Sequence, residues 1–245
     1  MTLNDNRNSI MFQAGSIASL IQCAYDGQID LNELSKHGDF GLGTVDRIDG
    51  ELIIVDGEFY RADAKGNIQK IDLNKKTPFA LTTFFKADDE FNLKSIADLK
   101  EMEKKIDARL ESLNYIYAIR IDGVFSYVQM RSEAPQPKPY KPFTETVLEL
   151  QNVFEAHDSE GTMVAVRFPD YIGTLNVPGY HLHYIDKDRK IGGHVYDLAI
   201  KAATVKICTI RRYTTDFLVG NPYFVAANLN KVGDKEIDTI EKLSK

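Results

Sequence analysis

The run Pro178-Gly179-Tyr180-His181-Leu182-His183-Tyr184-Ile185-Asp186-Lys187-Asp188-Arg189-Lys190-Ile191-Gly192-Gly193-His194 holds three of the chain's five histidines. Residues two apart on a strand share a face, so His181 and His183 project together while Tyr180, Leu182 and Tyr184 point the other way. The polar segment from Asp186 to Arg189 reads as a turn. With Lys187 and Asp188 as a two-residue loop, the register pairs 186 with 189, 183 with 192 and 181 with 194. His194 then stands opposite His181, at a Cβ separation of roughly 4.5–5.5 Å. Gly192 stands opposite His183, where it leaves room for a ligand. Three imidazoles converging on one face make the donor set of a catalytic metal site with coordination positions left open. A His-x-His pair alone is more often a polar strand face; the third histidine, in register beside Gly-Gly, moves the reading to a metal. Zinc is the default ion for imidazole, with iron, nickel and manganese as the other candidates. A loop one residue longer would invert the faces.

Outward from this hairpin, turn signals divide the chain into strands. Upstream, segments 42–48, 51–55, 58–62 and 67–71 are separated by Asp49-Gly50, Asp56-Gly57 and Lys65-Gly66, and Asp-Gly is a strong hairpin signal, so this is an antiparallel meander. Tyr115–Ile121 and Val124–Arg131 read as a hairpin across Asp122-Gly123. Helices are expected over 14–25, 95–113 and 144–156, and strands over 161–168, 195–203, 205–214 and 221–229. Thr44, Glu51 and Glu58 interrupt apolar strand positions. On pattern alone they are a solvated sheet face, and Arg131 is a surface arginine at a strand end.

Residues 134–142 contain four of the eight prolines and form an extended connector. It separates an N-terminal half (1–133, with the meander) from a C-terminal half (143–245, with the histidine hairpin). The chain has 245 residues, 43% hydrophobic and 27% charged, in keeping with a globular enzyme of one large or two intimately joined domains. A net charge of -6, with no basic stripe, argues against nucleic acid as a partner. Cys23 and Cys208 read as buried reduced thiols, and no apolar run reaches the length of a signal or membrane span. The expected location is therefore the cytoplasm, with no membrane partner.

Several motifs together resemble the signature of α-acetolactate decarboxylases. They are Gly161-Thr162-Met163-Val164 through Arg167-x-Pro169, Val177-Pro178-Gly179-Tyr180-His181-Leu182-His183, and Gly192-Gly193-His194-Val195. The N-terminal half agrees through Gly41-x-Gly43-Thr44, Asp49-Gly50-Glu51-Leu52 and Asp56-Gly57-Glu58-Phe59-Tyr60, as does Arg131 ahead of Lys138-Pro139-Tyr140-Lys141-Pro142. The similarity runs over residues 11–230. It implies an α/β (α+β) fold with mixed, largely antiparallel sheets in two closely packed halves, a few flanking helices, and a homodimer. It implies Zn2+ on His181, His183 and His194, with Glu51, Thr44 and Arg131 in the active site. The family's C-terminal glutamate falls on Glu241, with Glu236 as the competing placement. The implied reaction converts (S)-2-acetolactate to (R)-acetoin and carbon dioxide, with Glu51 or Glu241 delivering the proton. A cupin-like oxygenase or isomerase, or a non-catalytic protein binding metal or a small ligand, is the alternative. Cupins expect a glutamate shortly after His-x-His and a distant third histidine, whereas here aspartates follow and the third histidine lies on the next strand.

Overall fold

A computed structural model describes residues 9–145, 151–233 and 235–237. In chain order it has β1 (Ile10–Ala14), α1 (Ile17–Ile21), β2 (Ile29–Asp30), α2 (Leu31–Leu34), β3 (Phe40–Thr44), β4 (Glu51–Val55) and β5 (Glu58–Ala62). There follow β6 (Ile68–Lys70), β7 (Lys76–Thr77), β8 (Ala80–Thr83), β9 (Asp89–Ile96), α3 (Leu99–Asp107), β10 (Ile116–Glu133) and β11 (Gln151–Phe168). The last elements are β12 (Gly179–Asp186), β13 (Gly192–Ile210), β14 (Arg212–Asp216) and α4 (Pro222–Ala226).

Among the described residues, seven strands form a mixed sheet in the order β14-β1-β8-β3-β4-β5-β6, antiparallel except for β1 against β14. Five more, β10-β11-β12-β13-β9, form a second sheet in which β10 also pairs with β13. That extra pairing closes β10, β11, β12 and β13 into a ring. The mixed, largely antiparallel architecture that the family resemblance implies is the one adopted. Strands from both sides of the connector enter each sheet: β14 joins the first, and β9 and β10 join the second.

Alternation along the strands sets three apolar layers. Tyr117, Ile119, Ile121, Leu182 and Tyr184 fill the ring. Ala118, Val164, Val166 and Ile185 point outward and pack against Leu42, Ile53, Val55 and Leu81 of the seven-stranded sheet. Leu31, Leu34, Leu52, Ile54 and Phe59 cover the far face of that sheet. The odd-numbered positions of β12 and β4 thus meet between the sheets.

Asp56-Gly57 closes the two-residue turn the sequence predicts, with both residues at positive φ (56° and 76°) and Val55 opposite Glu58. Asp122-Gly123 does not turn. It lies inside the continuous strand β10, and a Cβ on Gly123 would come 2.4 Å from the Ala202 carbonyl oxygen and the Ala203 Cβ. Glycine serves there as a close approach between strands. The expected helix over 144–156 is corrected at its end, where Gln151–Ala156 pair with β10 from Glu133 back to Val128; its middle lies outside the described residues. The expected strand over 221–229 is instead led by α4. Asn221 Oδ1 accepts from the Tyr223 and Phe224 N–H groups, and Pro222 opens the helix. The helix expected over 95–113 spans only Leu99–Asp107, because Asp98 caps it and the residues before it extend β9 along β13.

The histidine hairpin also departs from its expected register. His183 pairs with His194, Tyr184 with Gly193 and Ile185 with Gly192. The loop is wider by two residues because the Asp186 carboxylate accepts from the Lys190 and Ile191 N–H groups, and the positive φ falls on Arg189. A shift of two preserves parity, so the three imidazoles stay on one face. Neither glycine leaves space for a ligand. A Cβ on Gly192 would come 2.4 Å from the Tyr184 carbonyl oxygen and 2.8 Å from Ile68 Cδ1, and one on Gly193 would come 2.7 Å from the Arg131 carbonyl oxygen. They let the strands and the facing sheet approach.

Replacing Gly192 with alanine should therefore destabilise the protein by about 1–3 kcal/mol, the usual cost of overpacking. Chemical denaturation of Gly192→Ala checks this; an unchanged midpoint would mean that the close approach does not matter.

Candidate metal centre

His181, His183 and His194 are buried on the ring's outer face, and their ligand atoms all lie within 4.8 Å of one another. The His181 and His183 Nε2 atoms are 3.2 Å apart. A tetrahedral zinc with Zn–N bonds of about 2.0–2.1 Å sets ligand separations of roughly 3.3 Å, so this pair is already at coordination spacing. His183 Nδ1–H donates to the Leu52 carbonyl oxygen over 2.9 Å. That bond leaves Nε2 as the lone-pair nitrogen, turned toward the cluster. Burial holds the His183 imidazole down to about pKa 3, opposed by the Leu52 hydrogen bond and assisted by the Arg131 charge. Burial likewise puts His181 well below the usual imidazole range, with His183 and Arg131 adding to it. Both rings are neutral at pH 7, the state a metal requires.

β10 brings the charged partners. Arg131 pairs across the strand with His194. Its Nη1 donates to Glu51 Oε1 over 2.9 Å and to Glu133 Oε1, and all three side chains are at most 6% exposed. The guanidinium also lies over the Tyr196 ring, 5.6 Å from its centre. Glu51 Oε2 sits 3.2 Å from His183 Nε2. A lone pair therefore faces a carboxylate oxygen, a contact that a cation between the two would turn from repulsion to attraction, so the residues present fit a metal on both spacing and donor chemistry.

A narrow cleft opens onto this group. Ile17 and Leu20 of α1, Ile48, Phe79 and Phe143 give it an apolar wall, while Thr44, Glu51, Arg131, Glu133, His181 and His194 give the polar one. Thr44 faces Glu51 across β3 and β4, and its hydroxyl donates to the Gly50 carbonyl oxygen over 2.8 Å, shaping the loop that delivers Glu51. Phe143 is held at the end of the Pro-rich connector. Tyr25 meets it edge-on and donates to the Lys141 carbonyl oxygen, and Asp26 accepts from Lys138 and Tyr140.

Of the residues singled out from sequence, Thr44, Glu51, Arg131 and the three histidines come together here. Glu58 lies outside, paired with Lys70. Glu236 accepts from the Gly233 N–H and does not line the cleft, and Glu241 lies outside the described residues. Glu133 was missed, although two residues after Arg131 on a strand it shares that side chain's face. Among the described residues no helix is long and apolar enough to cross a membrane.

The Alpha-acetolactate decarboxylase family model matches residues 11–231. The alpha-acetolactate decarboxylase of Methanosarcina mazei is 37% identical over 243 residues, covering 98% of this chain and 83% of that one. That of Bacillus subtilis is 41% identical over 203 residues, covering 83% and 79%. The crystal structure of the Bacillus subtilis strain 168 enzyme superposes with a TM-score of 0.92 at 38% identity, covering 96% of this chain and 100% of that one.

In metal-free protein the depressed His183 pKa makes stability depend on pH. Below 6.5 the unfolded chain binds a proton that the folded one refuses until about pH 3, so stability is present above 6.5 and is lost as the pH falls toward 3. The slope should approach about 1.4 kcal/mol per pH unit for this group. Denaturation of the metal-free protein across that range should show it, and His183→Gln should flatten it; equal slopes would contradict the assignment.

Proposed function

The chain belongs to the alpha-acetolactate decarboxylase family, and on that basis we propose that it converts (S)-2-acetolactate to (R)-acetoin and carbon dioxide at a zinc ion held by His181, His183 and His194. The product would feed acetoin and butanediol formation. The observation that carries the site assignment is the buried three-histidine cluster in contact with the Glu51–Arg131 pair.

Bound there, zinc supplies a Lewis acid at the oxygen on which negative charge develops as carbon dioxide leaves. Arg131 receives the substrate carboxylate in the ground state. The apolar wall of Ile17, Leu20, Phe79 and Phe143 excludes water from the opposite side and favours the uncharged carbon dioxide over the carboxylate. Glu51 is held by Arg131 through one oxygen and reaches the histidines with the other. Glu51 would take up a proton from solvent in each turnover and deliver it to the carbon that has lost carbon dioxide, and its approach from one side would account for a single enantiomer.

Purified protein given racemic acetolactate should make acetoin, lose that activity when a chelator removes the metal, and regain it with zinc. Full activity in a sample confirmed metal-free would refute the zinc assignment, and no acetoin from folded, zinc-loaded protein would refute the reaction. Glu51→Gln, assayed at saturating zinc, should lower kcat by about 10²–10⁴-fold, the usual share of a general acid. A smaller loss would assign the proton to another group.

A further inference from the structure

The loop that delivers Glu51 to the cleft carries two consecutive residues in the left-handed backbone region, Arg47 at φ 64° and Ile48 at φ 50°. A β-branched side chain is crowded against its own backbone there, whereas glycine would adopt the conformation freely. The fold enforces it from both sides. Asp46 Oδ1 accepts from the Gly27 N–H over 2.6 Å, and the Arg47 N–H donates to the Tyr25 carbonyl oxygen over 2.7 Å. Arg47 and Gln136 exchange two hydrogen bonds, of 2.9 and 3.0 Å, and Arg61 Nε donates to the Asp49 carbonyl oxygen over 2.8 Å. Strain that the surroundings maintain in this way clusters at ligand sites.

Ile48 is 1% exposed and lines the cleft three residues before Glu51, with Ile17, Leu20, Phe79 and Phe143 completing the apolar wall. We infer that Ile48 is a specificity-determining residue, its branched side chain limiting the size of the alkyl group on the carbon that loses carbon dioxide. The identity of that carbon rests on the decarboxylase reading above. With the substrate carboxylate at Arg131, the alkyl group is the part left for the apolar wall. The same loop presents Glu51 to that carbon, so the wall residue nearest Glu51 in the chain flanks the carbon's substituent. The pinned backbone makes the limit sharp: Ile48 cannot retreat before a longer chain without breaking the hydrogen bonds on either side of it.

Ile48 also packs in the apolar layer between the sheets, so packing has to be separated from size selection. The comparison is of kcat/KM for 2-acetolactate with kcat/KM for the homologue carrying propyl in place of the methyl on that carbon. It is made in the wild type, Ile48→Val, Ile48→Ala and Val55→Ala. Val55 is equally buried, at 1%, in the same layer but does not line the cleft. One methylene in an apolar pocket changes discrimination by about 10–200-fold, so Ile48→Ala should raise the propyl-to-methyl ratio by about tenfold or more and Ile48→Val by about threefold. Val55→Ala should leave the ratio within about twofold of the wild type, whatever it does to stability. An unchanged ratio in Ile48→Ala, or an equal rise in Val55→Ala, would overturn the inference. If Ile48→Ala does not fold, Ile48→Val decides. In parallel, calorimetry on zinc-loaded protein uses 2,3-dihydroxy-2-methylbutanoate and its 2-propyl homologue, which lack the ketone and do not decarboxylate. The propyl compound should gain on the methyl one in Ile48→Ala by a similar factor. If the wild type makes no acetoin, the reaction assignment fails, and this binding comparison judges Ile48; no gain there, or no binding of either compound, overturns the size limit.

Discussion

One guanidinium shared by two buried carboxylates, beside three neutral imidazoles, is the arrangement on which this molecule turns. Charges at this depth cost several kcal/mol each unless partnered, and removing one partner strands the others. Arg131, Glu51 and Glu133 are therefore coupled, and through the Glu51 contact with His183 they are coupled to the metal donors. Charge balance and metal affinity become parts of one problem.

The two sheets exist, for this purpose, to bring those groups to one place. Neither carries the site alone: the histidines, Arg131 and Glu133 stand on the ring, and Thr44 and Glu51 stand on the seven-stranded sheet. Period-two alternation decides which side chains reach the seam, because neighbours such as Leu182, Leu52 and Met130 turn into the apolar layers. The Leu52 carbonyl, which orients His183, belongs to the residue after Glu51. The same short stretch of β4 thus supplies the carboxylate and sets the imidazole tautomer.

Much of this was legible in the residues, and the failures have identifiable causes. The clustering of His181, His183 and His194 followed from spacing and parity, even though the loop was two residues wider than a tight turn, because the Asp186 side chain caps it. Local chemistry decides such turns only when nothing else competes. Asp56-Gly57 obeyed it, whereas Asp122-Gly123 was overridden by the close packing of β10 on β13, which no neighbouring residue announces. Gly192 and Gly193 showed the same ambiguity: a glycine signals close approach without saying what approaches. The meeting of Glu51 with Arg131 spans 80 residues of chain and two sheets, so spacing alone could not reveal it, and it entered through family resemblance.

Closure of the ring gives the donor set a kinetic property. In an open sheet, an edge strand can fray or slide without disturbing the rest. Here β12 is held on one side by β11 and on the other by β13, and β13 is bound in turn to β10. A slip that carried His183 away from His194 would have to break several ladders together, which is the opening of the whole ring. The amides flanking these histidines should exchange with solvent at a rate set by global unfolding rather than local fluctuation. Ring closure thus keeps the three imidazoles together on one face.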